Sequence, residues 1–177
     1  METHRNSKFA PGIKVKDMQK SLEFYTKTLG FMIIDKITRK DGKIAHASVG
    51  IDSPVLTLST IESVRTMRVK KELAENKFGV GVRFHFGITG EKTLDEYFVE
   101  LKEKGIKVIA EPRTEFWGER IFTLEDPDGY TLTFSEHFKD VSSEAREIAY
   151  EKAFSAHCNT EIKEGPLPVE KHAGQSH

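Results

Sequence analysis

Cysteine is nearly absent from this 177-residue chain: Cys158 stands alone. An intrachain disulfide is therefore excluded, and a lone thiol fits a reducing compartment. Long apolar runs are missing too, with no stretch near the roughly 20 residues a membrane-spanning helix needs. The opening Met-Glu-Thr-His-Arg-Asn-Ser-Lys lacks the apolar centre of a signal peptide, so the expected location is cytoplasmic. Nor is there an excess of charge. Twenty-seven basic and 28 acidic side chains leave a formal charge of −1, which gives no broad field to attract nucleic acid or an anionic membrane. Neither partner is expected.

What is present is ordinary for a water-facing domain: 37% hydrophobic and 31% charged residues, with 12 phenylalanines to supply much of an interior. The length accommodates one compact domain, or two small modules sharing a core, plus a tail. From Phe9 to Val15 the chain alternates, with Ile13 and Val15 on one side. Asp17 is placed to cap a helix carrying Met18, Leu22, Tyr25 and Leu29 at helical spacing, and Gly30 to end it. Strands are predicted from Phe31 to Ile37, Ile44 to Val49 and Val55 to Ser59, with a turn at Lys40-Asp41-Gly42-Lys43.

After a charged connector the order repeats. Gly79 to Ile88 reads as a strand with Phe84 and Phe86 opposed to Arg83 and His85; a helix follows with Leu94, Tyr97, Phe98 and Leu101. Gly105 then stands where Gly30 stood, roughly 75 residues later. Ile106 to Ala110 is the next strand. Two more form a hairpin around Asp126-Pro127-Asp128-Gly129, where proline fixes one turn dihedral and glycine supplies the positive one. Ser142 can cap a short helix bearing Ala145, Ile148, Ala149 and Ala153. The resulting division is 9–60, a first βαβββ module; 61–78, a connector; 79–137, a second βαβββ module; 138–158, a helical extension; and 159–177, an unpatterned tail expected to be disordered.

Two such modules in tandem, with Val15-Lys16-Asp17, Ser21-Leu22-Glu23-Phe24-Tyr25, Leu29-Gly30-Phe31, and Trp117-Gly118 through Asp126-Pro127-Asp128-Gly129, resemble the vicinal oxygen chelate superfamily of glyoxalases, bleomycin-resistance proteins and dioxygenases. The resemblance spans about residues 9 to 137. It implies an α+β fold in which eight strands form a cup-shaped sheet with helices on the convex side, in a homodimer. It also implies a divalent metal held in the cup by His and Glu side chains. The corresponding positions here are Ala10, Thr57, Arg83 (or His85, two residues on) and Thr133. Methyl, hydroxyl and guanidinium groups make poor ligands for such an ion, so no metal cofactor is expected.

The same positions supply the candidate binding residues. Arg83 can hold a carboxylate or phosphate by a two-pronged contact, or pair with an acid such as Glu125. His85 shares its face and is either a ligand-contacting or acid/base group, or a hydrogen-bonded wall. Trp117 can stack on a ligand or close a core. His46 is a wall or surface residue, and Thr57 and Thr133 complete the set. Arg120 is expected to brace the hairpin loop against Asp126 or Asp128.

The leading expectation is a binding protein for a small organic molecule, with an anionic group near Arg83. One alternative is a metal-dependent lyase, isomerase or dioxygenase with a shifted site at His85, His46 and a carboxylate. Another is an interaction module that uses its C-terminal helix.

Overall fold

The computed structural model describes residues 10–51, 54–61, 71, 73, 75, 78–79, 81–88 and 90–161. Most of the 61–78 connector, and the tail beyond Glu161, lie outside the described residues. The rest alternates as anticipated: β1 (Gly12–Val15), helix α1 (Met18–Glu23), β2 (Met32–Thr38), β3 (Ile44–Gly50) and β4 (Pro54–Thr60). The second round consists of β5 (Arg83–Gly87), α2 (Leu94–Glu103), β6 (Lys107–Thr114), β7 (Glu119–Glu125) and β8 (Thr131–His137). The eight strands are hydrogen-bonded as two four-stranded ladders, ordered β1-β4-β3-β2 and β5-β8-β7-β6. In each, the first strand of the module runs parallel to the last. The duplication read from spacing is thus a duplication of topology.

Local chemistry sets the element ends. The Asp17 carboxylate accepts the Lys20 N–H at the start of α1, satisfying a donor the helix cannot. Its last turn widens into a π-helical stretch over Phe24–Thr28, closed by Leu29 N–H to Phe24 C=O at 3.0 Å before Gly30 turns the chain at φ 79°. At α2, Thr93 and Glu96 cap one another reciprocally.

Three boundaries differ from expectation. Strand β5 begins at Arg83 rather than Gly79, because Gly79 and Gly81 take φ of 62° and 76° and form a turn. Strand β6 continues past Ala110 to Thr114 through Pro112; as the outer strand of its sheet it tolerates a residue without an N–H, and the register shifts there. The C-terminal helix, α3 (Ser143–Glu161), is 19 residues long rather than short.

Each sheet buries one face under its helix. Ile13, Val15, Ala47, Val49, Leu56 and Leu58 join Met18 and Leu22; Phe122, Leu124, Leu132 and Phe134 join Leu94, Phe98 and Leu101; all belong to one cluster. Phe31 meets Phe86 edge-on at 5.6 Å across the modules.

The buried polar tie at the Asp126–Gly129 turn joins the modules, alongside the Tyr97 hydroxyl, which donates to the Leu29 C=O at 2.9 Å. Asp126 and Asp128 are buried, at 4% and 7% exposure. Asp126 Oδ2 accepts the Tyr25 hydroxyl at 2.8 Å, while Asp128 accepts the Lys16 N–H and the Ser21 hydroxyl, both at 2.9 Å. Tyr130 then uses its hydroxyl to donate to the Lys14 C=O and accept from the Lys14 N–H.

Residues 116–118 group with the chain from Lys139 onward as a second compact unit. There Lys139 N–H donates to Gly118 C=O at 3.0 Å, and the Phe116 ring lies 4.8 Å from Trp117 and 6.4 Å from Tyr150.

Two outcomes follow for the buried turn. Tyr25→Phe leaves a buried carboxylate short of a donor and lowers unfolding free energy by about 1–3 kcal/mol in urea titration. Burial also pushes the Asp126 carboxyl above its ordinary 3.8, outweighing hydrogen bonds that pull it down. The folded state therefore holds this proton more tightly than the unfolded chain. Its contribution is full below 3.8 and is lost as pH rises through the raised value. Asp126→Asn removes that slope, so the stability of the wild type relative to this variant falls as pH is raised from acid toward neutrality.

Candidate functional site

The faces turned away from the helices carry the polar residues, and strand pairing places them. In the second module, β5 presents Arg83, His85 and Gly87 opposite Thr131, Thr133 and Ser135 of β8. Beyond β8, strand β7 presents Glu125, Thr123, Ile121 and Glu119. The floor of this face is a buried hydroxyl layer: Thr133 is 1% exposed, Ser135 and Thr123 are also buried, and the two threonine hydroxyls lie 3.1 Å apart. Charged groups stand above it. His85 Nε2 is 3.8 Å from Glu119 Oε2, beyond hydrogen-bond length, with 43% of the His85 side chain exposed.

The first module repeats the layout with different chemistry. Gly12 and Lys14 of β1 pair with Thr57 and Ser59 of β4, and these pair in turn with Ser48 and His46 of β3. Thr57 Oγ1 lies 3.4 Å from the Pro11 C=O, to which it donates. Matching the ladders through Thr57 and Thr133 makes Gly12 the counterpart of His85 and Ala10 the counterpart of Arg83.

The six candidate residues therefore separate. Arg83, His85 and Thr133 share one face, while His46 and Thr57 share the corresponding face of the other sheet. Trp117 lies in the unit formed with the C-terminal segment, its ring against Phe116.

Two expected ion pairs are replaced. Glu125 bonds Lys107 at 2.6 Å, because strand register sets those two opposite one another, and Arg83 has no ion pair or hydrogen bond to its guanidinium among the described residues. Arg120 does not reach Asp126 or Asp128. It points to the helix side and holds Asp95 with two bonds of 2.8 and 2.9 Å, while Glu136 beside it accepts the Leu94 N–H at the start of α2. Glu119 was not singled out from sequence, although its parity with Ile121 and Thr123 would have found it.

A metal implied by the resemblance can be tested against these donors. In either register the first module offers a methyl group (Ala10) or a hydrogen (Gly12) beside Thr57, and the second offers Arg83 or His85 beside Thr133. Among the described residues no three His, Cys, Asp or Glu side chains gather. This donor set does not suit a divalent cation, which needs several imidazole or carboxylate ligands at once.

Fold, duplication and motifs agree with known proteins. Residues 10–134 match the Glyoxalase/Bleomycin resistance protein/Dioxygenase superfamily, and the chain belongs to it. A probable chloroplastic lactoylglutathione lyase of Arabidopsis thaliana is 30% identical over 126 residues, 70% of this chain and 33% of that protein. A probable lactoylglutathione lyase of Synechocystis is 26% identical over 121 residues, covering 68% of this chain and 87% of the relative. Among solved structures, a glyoxalase/bleomycin resistance protein/dioxygenase from Nocardioides superposes with a TM-score of 0.59 at 21% identity, over 80% of this chain and 90% of that one. Among the described residues no helix is long and apolar enough to cross a membrane.

The hydroxyl floor carries its own test. Thr133→Val strands the Thr123 hydroxyl and costs about 1–3 kcal/mol, whereas adding Thr123→Val removes both partners and recovers most of that loss. Urea unfolding of the two single variants and the double variant measures the coupling.

Proposed function

We propose that this chain is a small-molecule-binding member of the superfamily that receives an organic ligand on the polar faces of its sheets without a bound metal. The observation that carries this reading is the donor set: Ala10 or Gly12 with Thr57, and Arg83 or His85 with Thr133. Side chains that ligate poorly still bind well by hydrogen bond and charge, and a buried hydroxyl layer flanked by an imidazole and a guanidinium suits a polar organic molecule.

The quaternary arrangement belongs to the same proposal. Strand β2 ends its sheet with Met32, Ile33 and Ile37 exposed at 53%, 42% and 58%, an apolar edge that a second copy would cover in a homodimer. A cytoplasmic location agrees with the single cysteine.

The two relatives named as probable lactoylglutathione lyases support the competing reading of an enzyme, in which a metal would be held at a shifted site by His85, His46 and a carboxylate such as Glu119. One experiment separates them. Metal-stripped protein is screened by thermal shift against small metabolites and drugs, and the purified protein is analysed for Ni, Zn, Fe and Mn. Stabilisation by organic compounds without metal is expected. Near-stoichiometric metal that is lost in His85→Ala, with stabilisation only when metal is restored, would overturn the proposal.

A further inference from the structure

At the amino ends of β5 and β8 the polar face of the second module opens into a cleft of about 450 Å³, walled by Phe78, Gly79, Val82, Arg83 and Thr131. Its construction is specific. A Cβ on Gly79 would lie 2.5 Å from the Tyr130 ring, so only glycine lets the backbone there lie against that ring. Tyr130 is itself held by both backbone groups of Lys14 in the first module. The Gly79 side of the cleft therefore rests on a ring that the first module holds.

The charges around the cleft are unequal in one respect. Glu125, opposite Thr131 on the neighbouring strand, is paired with Lys107 at 2.6 Å. Asp126 and Asp128 are buried, and their oxygens accept from Tyr25, Ser21 and backbone N–H groups. Arg83 is exposed and has no such partner among the described residues, and the Lys16 ammonium sits 4.6 Å from the ring centre of Phe78 on the cleft wall. Glu125, Asp126 and Asp128 are thus paired or enclosed, while the Arg83 guanidinium remains to act on whatever enters. Apolar surface from Val82, 46% exposed, lies beside Arg83, backed by the buried Phe78 ring.

We infer that this cleft is an oxyanion subsite, in which Arg83 grips a carboxylate or phosphate monoester of the ligand, Thr131 donates a hydrogen bond to it, and Val82 takes its apolar part. The guanidinium supplies two parallel donors in a plane that matches either oxyanion. From there the body of the ligand extends along β5 toward His85 and Thr133, two residues on in the same face. The ligand class is consequently an organic acid anion with an apolar or aromatic portion. This inference rests on the small-molecule-binding reading and goes further by assigning the charge and orientation of what is bound.

Titration calorimetry of the full chain with phenylacetate, phenyl phosphate and neutral phenylacetamide tests it. At least one anion should bind about tenfold or more tightly than the amide, weakening as salt is raised. Arg83→Gln should abolish the preference, Arg83→Lys should restore part of it, and Thr131→Val should weaken the anion alone. The preferred anion tells carboxylate from phosphate. Equal binding of all three probes, or a preference that survives in Arg83→Gln, overturns the subsite and leaves the broader reading standing. Failure of every probe to bind also overturns it, and the broader reading falls with it only if the metal-stripped thermal-shift screen is empty as well. Circular dichroism of the variants confirms that an exposed side chain was changed without loss of fold.

Discussion

The organisation of the larger unit depends on two carboxylates removed from water. Asp126 and Asp128 would be costly to bury alone. They are enclosed with five donors: the Tyr25 and Ser21 hydroxyls and the N–H groups of Lys16, Asp128 and Tyr130. Three of these come from the first module, more than a hundred residues earlier in the chain. Hydrophobic burial under each helix could hold each sheet by itself, but it is not directional. The hydrogen bonds at the turn are, and they position the start of β8 against the end of β1. Tyr130, and the cleft walled by the glycine turn above its ring, are located by the same contact.

Duplication gives the two modules a common plan and lets them diverge where backbone geometry does not care. Thr57 and Thr133 occupy matching ladder positions, and both sit among hydroxyl groups. Their neighbours differ in kind: Gly12 leaves a bare backbone, where His85 places an imidazole near Glu119. A metal centre needs convergent ligands from several strands; recognition of an organic molecule needs only complementary charge and shape at one of them. The asymmetry of this chain puts an imidazole and a guanidinium on one sheet and neither at the matching positions of the other.

Much of the architecture was legible because it is written in local periodicity. Apolar residues at helical spacing defined α1 and α2, Gly30 and Gly105 marked their ends, and alternation placed His85 with Arg83 and Thr133. What escaped was decided by residues distant in sequence. Glu125 looked like a partner for Arg83 until register set Lys107 opposite it, and the turn acids looked available to Arg120 until the first module was seen to occupy them. Trp117, left open between stacking on a ligand and closing a core, lies with the C-terminal segment, where Gly118 bonds Lys139. The early end given to β6 has a different origin: Pro112 is a strand breaker in the middle of a sheet and harmless on its border.

The edge strands β6 and β2 are not equally defended. Strand β6 interrupts its outer row of peptide groups with Pro112 and a register shift, and carries Lys107, Glu111 and Arg113. Strand β2 has no proline, and its Met-Ile-Ile run is followed by only Asp35 and Lys36 as charged gatekeepers. An edge of this sort is prone to pair with other strands unless something covers it. The exposed apolar side chains of this strand therefore make it the more adhesive of the two, whether what it meets is an identical subunit or an unfolded chain.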